Sequence, residues 1–68
     1  MRYAIVIEKA ENNYAAYVPD LPGCVAAGLT VEETEQQIRE AIRFLLDGLR
    51  QDGLWVPEPT TICEYVEA

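Results

Sequence analysis

The stretch Val18-Pro19-Asp20-Leu21-Pro22-Gly23-Cys24-Val25-Ala26-Ala27-Gly28-Leu29-Thr30-Val31-Glu32-Glu33 decides how this chain must run. Leu21-Pro22-Gly23-Cys24 fits a type II turn, because Pro22 presets φ at the second position and Gly23 supplies the positive φ needed at the third. A reversal of direction is expected there. Cys24 to Ala27 then reads as a short strand, Gly28-Leu29 leaves it, and Thr30 with Glu33 three residues on makes a capping box for a helix. Pro22, Gly23, Gly28, Thr30 and Glu33 are thus the structural turn and cap residues. Gly23→Ala should cost more than about 1 kcal/mol through strain at positive φ, with Gly28 the less strict of the two.

Working outward, Tyr3-Ala4-Ile5-Val6-Ile7 is rich in β-branched residues and apolar on both faces, the pattern of a strand in the middle of a sheet. Glu11-Asn12-Asn13 is a turn signal, and Tyr14 to Val18 returns antiparallel to the first strand. From Val31 to about Asp52 the apolar residues change to the helical period. Val31, Thr34, Ile38, Ala41, Ile42, Leu45 and Leu49 share one face, with Phe44 and Leu46 on opposite flanks. Gly53 ends this helix. Pro57 and Pro59 forbid its continuation, and Thr60 to Val66 reads as a fourth strand. A right-handed crossover would set that strand parallel to the first. The expected fold is α+β: one domain over residues 1–68, a two-layer β-β-β-α-β arrangement with a four-stranded mixed sheet of order 3-2-1-4 and one helix.

A domain of 68 residues has a thin core, yet half of its residues are hydrophobic. Some of that apolar surface is therefore expected to meet another subunit, as a homodimer or larger assembly. Twelve acidic residues against five basic ones, with no His, give a net charge of −7. This charge opposes binding to nucleic-acid phosphates or anionic membranes and favours a basic partner. No run approaches a membrane span and no signal peptide is evident, so a cytoplasmic protein is expected. Cys24 and Cys63 lack metal-ligand spacing and read as two buried thiols.

The chain is poor in catalytic groups. It has no His and no glycine-rich phosphate loop, and most of its carboxylates lie along a solvated helix face. A nuclease would need Glu8, Asp20 and a further carboxylate to converge on a metal. The reading is of a protein that is not an enzyme, with no cofactor, no metal and no nuclease activity. Arg39, Arg43 and Arg50 form a strip on the helix, but Glu35 and Asp47 stand at pairing distance along it, so a solvated face is expected rather than a nucleic-acid face. Trp55, between Gly53 and Pro57, reads as a lid over the core end or a binding hot spot.

The order of these pieces resembles the HicB-like antitoxin family over almost the whole chain: an opening strand, an aromatic second strand, P-D-L-P-G-C at 19–24, a Gly28-x-Thr30 step into a T-x-E-E helix, and a P-E-P before the last strand. The resemblance implies a fold like part of ribonuclease H without its nuclease site. It also implies an antitoxin that binds a small basic HicA-type toxin and blocks the active site with which that toxin cleaves messenger RNA. Longer members carry a C-terminal DNA-binding segment, and this chain reaches Ala68 directly after the expected fourth strand, as a short form would. The residues assigned to partner binding are Tyr17, Asp20, Leu21, Pro22 and Trp55. The alternative function is a stand-alone homo-oligomeric HicB-like domain with a binding or regulatory task of its own.

Overall fold

Two tight reversals bring three strands side by side in the computed structural model, which describes residues 1–68. The elements are β1 (Val6–Lys9), β2 (Tyr14–Tyr17), β3 (Val25–Gly28) and one helix, α1 (Val31–Gln51). The sheet is antiparallel in the order β1-β2-β3. Val6 stands opposite Tyr17, and Tyr17 opposite Val25, so these three residues form a row on one face of the sheet. The first hairpin closes where the Ala10 N–H donates to the Asn13 carbonyl at 2.8 Å.

The 18–24 loop is a pair of stacked turns. The Leu21 N–H donates to the Val18 carbonyl and the Cys24 N–H to the Leu21 carbonyl, each at 3.0 Å, while the Val18 N–H reaches the Cys24 carbonyl at 3.3 Å. Gly23 has φ of +84°, the value that a type II turn demands at its third position. This loop is more than a connection, because it sends Val18, Leu21 and Cys24 into the core beside Ala16. Ile38 and Leu46 meet them from the helix.

The helix begins as its sequence dictates. Thr30 is extended, and its hydroxyl accepts from the Glu33 N–H at 3.0 Å. One turn on, the fully buried Thr34 donates its hydroxyl to the Thr30 carbonyl at 2.7 Å, so the polar atom enters the core satisfied. The far end is a Schellman motif around Gly53, at φ of +67°: the Leu54 N–H donates to the Leu49 carbonyl and the Gly53 N–H to the Arg50 carbonyl. Of the two flanking residues, Leu46 widens the core and Phe44 stays 84% exposed.

Four expectations need correction. The segment Thr60–Val66 is not a strand here; it carries no backbone-to-backbone hydrogen bond, and residues 60–68 are all exposed. In consequence β1 lies at an edge and β2 in the centre, so the sheet is three-stranded and antiparallel rather than four-stranded and mixed. The α+β class with one helix stands. Cys63 goes with its segment and is exposed, whereas Cys24 is buried and its thiol is pushed up by burial. The glycines exchange roles: a Cβ at Gly23 would meet nothing within 4 Å, but one at Gly28 would stand 2.7 Å from Thr34 Oγ1 and 2.8 Å from the Thr34 nitrogen. Gly28 is the place where β3 touches the first turn of α1, and that contact cannot be read from turn chemistry.

Candidate partner-binding site

Asp20, at the crown of the 18–24 loop, holds the root of the C-terminal segment. Its Oδ2 accepts from the backbone N–H groups of Thr60, at 3.1 Å, and Thr61, at 3.0 Å. Its Oδ1 accepts from the hydroxyls of the same two threonines, at 3.1 and 2.8 Å. Four donors on one carboxylate stabilise its charged form, so the carboxyl titrates below its ordinary range, with the Thr61 backbone bond the leading cause. The Tyr3 hydroxyl adds a second attachment by donating to the Pro57 carbonyl, and burial raises its pKa. Beyond Thr61 nothing holds the chain. Ile62, Tyr65 and Val66 are 80%, 101% and 87% exposed.

The N-terminal segment that leads into β1 and the helix bound a groove of about 430 Å³. Its floor is apolar, made by Tyr3, Ile5, Ile38, Ile42 and Leu46. Its rim is cationic: Arg2, Arg39, Arg43 and Arg50 all line it, four of the five basic residues in the chain. Arg39 pairs with Glu35 at 3.0 Å, and Arg50 stands 3.9 Å from Asp47, both pairs being solvated. Such pairs hold their partners weakly, so the rim can exchange them for other anions. The helix stripe of arginines was legible in the sequence; Arg2, which joins it across the groove, was not, because the two are brought together only by packing.

The sheet face turned away from α1 carries the row Val6, Tyr17 and Val25, with Ala15 and Ala27 opposite each other one step along. Tyr17 is 42% and Val25 65% exposed. Glu8, opposite Ala15, completes that second row and adds one exposed carboxylate to this face. Of the residues assigned to partner contact, Tyr17, Pro22 and Trp55 are exposed, whereas Leu21 is buried in the core and Asp20 spends both oxygens inside the chain. Leu21 and Asp20 therefore act within the chain rather than at its surface. No three His, Cys, Asp or Glu side chains come together as a metal site would need, and no helix is long and apolar enough to cross a membrane.

Comparison with known proteins agrees with this architecture. The family of HicB-like antitoxins of bacterial toxin-antitoxin systems matches residues 3–68. An uncharacterised 14.9 kDa protein from the rep-hol intergenic region of Haemophilus phage HP1 is 39% identical over 66 residues, which is 97% of this chain and 50% of the phage protein. The chain thus spans about half the length of that relative. A UPF0150 protein of Helicobacter pylori is 51% identical over 49 residues, 72% of this chain and 68% of its own. Among solved structures, a chain of the HicA3 and HicB3 toxin-antitoxin complex superimposes with a TM-score of 0.74 at 30% identity, over 88% of this chain and 70% of that one.

Proposed function

Because the chain belongs to the HicB-like antitoxins of bacterial toxin-antitoxin systems, we propose that it binds a small basic HicA-type toxin and neutralises it by covering the active site with which the toxin cleaves messenger RNA. The observation that carries this reading is the match of the family over residues 3–68, joined to the likeness at 30% identity to a chain of a toxin-antitoxin complex. The net charge of −7 supports it, since an acidic domain attracts a basic partner and speeds its capture. The mode of action is occlusion, without catalysis, metal or cofactor, in the cytoplasm where messenger RNA is found. The docking surface is the face of Val6, Tyr17 and Val25, with the exposed Pro22 and Trp55 as further contacts. Tyrosine is among the residues most enriched at binding hot spots.

The test is an RNA-cleavage assay with the toxin encoded beside this chain. Equimolar protein should abolish cleavage, and Tyr17→Glu or Val25→Glu should weaken inhibition about tenfold or more at an unchanged melting temperature. Inhibition that ignores both substitutions would move the docking surface elsewhere, and failure of the wild-type chain to inhibit would remove the antitoxin role. A second reading, a homo-oligomeric domain with its own task, is favoured by the exposed apolar arm. The two readings are compatible, because self-association can use a surface that toxin binding leaves free.

A further inference from the structure

We propose that the groove between α1 and the N-terminal segment leading into β1 is the seat of the C-terminal arm, Ile62–Glu67, of a second copy of this chain, exchanged reciprocally across a two-fold axis. The proposal rests on the homo-oligomeric part of the reading above and is independent of toxin binding. Three observations lead to it.

The arm is built as a strand without a partner. Ile62, Cys63, Tyr65 and Val66 give it apolar side chains on both faces, and its backbone bonds to nothing. β1 is built as the complementary half: it continues the apolar run Tyr3–Ile7, it lies at an edge, and its outer N–H and C=O groups are free. Exposed edges of this kind recruit strands. In length the two agree, since six extended residues span about 20 Å, close to the run from Tyr3 to Lys9.

Charge identifies the occupant. The arm carries Glu64 and Glu67 and no basic residue, while the groove gathers four arginines and one acid, Glu35, around an apolar floor. In a chain that is otherwise strongly acidic, this is where a second acidic copy meets attraction instead of repulsion. A basic toxin would be turned away from the same groove.

The arm does not lie along its own body. Asp20 anchors Thr60 and Thr61 with four hydrogen bonds, and past that anchor Tyr65 is wholly exposed. The radius of gyration, 13.0 Å, exceeds the roughly 11 Å of a compact chain of this length, and the longest axis reaches 41 Å. A protruding apolar arm and a vacant groove on the same molecule form the two halves of an isologous contact.

Charge exchange tests this directly. Full-length protein is examined by sedimentation equilibrium in three forms: wild type, an arm variant carrying Glu64→Lys and Glu67→Lys, and a groove variant carrying Arg39→Glu and Arg43→Glu. Wild type should be a dimer at micromolar concentration. Each variant alone should dissociate about tenfold or more readily, because its own arm and groove now repel, and an equimolar mixture should recover a heterodimer in which both contacts are complementary. A monomeric wild type, variants that stay as tightly dimeric as wild type, or a mixture that fails to associate while circular dichroism shows both variants folded, would each overturn the proposal. The same variants assayed against toxin separate the two readings. Lost association with intact inhibition concerns the arm alone, and lost inhibition with intact association concerns only the antitoxin role.

Discussion

The chain contains two stretches that read alike, Tyr3–Ile7 and Thr60–Val66, both short, rich in β-branched residues and apolar on both faces, and they come to different ends. The first leads into β1, because a tight turn delivers β2 alongside it within five residues. The second has its root held by Asp20 and stays exposed. Strand-forming composition is thus half of a statement. The other half is whether local geometry supplies a neighbour, and for the arm no neighbour is supplied within its own chain.

This contrast is most sharply tested by truncating an apolar side chain in each region. Ile38, packed against the three-stranded body, is 1% exposed, and Ile38→Ala should cost about 2–5 kcal/mol, enough to unfold much of so small a domain in a urea titration. Ile62→Ala in the arm, measured at dilutions where the protein is monomeric, should leave the midpoint unchanged. Comparable losses would mean that the arm packs within its own chain.

The contact between β3 and α1 comes next in size. Gly28→Ala forces a Cβ to within 2.8 Å of the Thr34 backbone and should destabilise by about 2 kcal/mol or more, since neither element can move without disturbing the core. Gly23→Ala should cost about 1 kcal/mol, from φ alone, because its surroundings are open. Thermal melts of the two variants rank them, and an equal or reversed ranking would show that the 28–34 contact yields easily. Thr30→Ala, which removes the hydroxyl that caps the Glu33 N–H, belongs with the smaller effect at about 1 kcal/mol.

The smallest effect on stability concerns the anchor. The Asp20 carboxyl has a lower pKa when folded than when unfolded. Its contribution is therefore fully present above the unfolded pKa and is lost as pH falls through the folded value, in the acidic range below the ordinary carboxylate pKa. Asp20→Asn, with one oxygen and an amide that donates, cannot accept from all four threonine donors. Protection of the Thr60 and Thr61 amides, measured against the intrinsic exchange rate at each pH, should be high in the wild type at neutral pH, lost in the wild type at strongly acid pH, and absent in the variant at both. Equal protection in the two proteins at neutral pH would show that the arm root is held by something other than Asp20.

Much of this was legible from the residues, and what was not has definite causes. The type II turn, the Thr30 cap, the helix span and its stop at Gly53 are each written in contiguous residues whose conformational limits are local. The order of the first three strands follows from two short connections. The fourth strand was inferred from composition and the usual handedness of crossovers, and neither rule knows that Asp20 can accept two backbone and two hydroxyl donors forty residues away. Asp20 is legible as one residue of the turn-forming stretch, but its partners are hidden because sequence separation carries no sign of them. The groove was half visible as an arginine strip, and Arg2 completes it from the opposite end of the chain. Exposure of Cys63 follows from the fate of the arm.

The closeness in sequence of every paired strand also sets a timetable. β1, β2 and β3 join neighbours through loops of a few residues, and the helix follows at once, so the body can assemble through short-range closures that take microseconds to milliseconds. Exchange of arms between copies is a second-order event whose rate depends on how many chains are present. At low chain concentration these two clocks separate, and the folded single chain, with its arm free, precedes the assembled one. Exposed and anchored only at its root, the arm is the first part of the molecule a protease can reach, so the lifetime of the unassembled protein is governed by residues that contribute nothing to its folding.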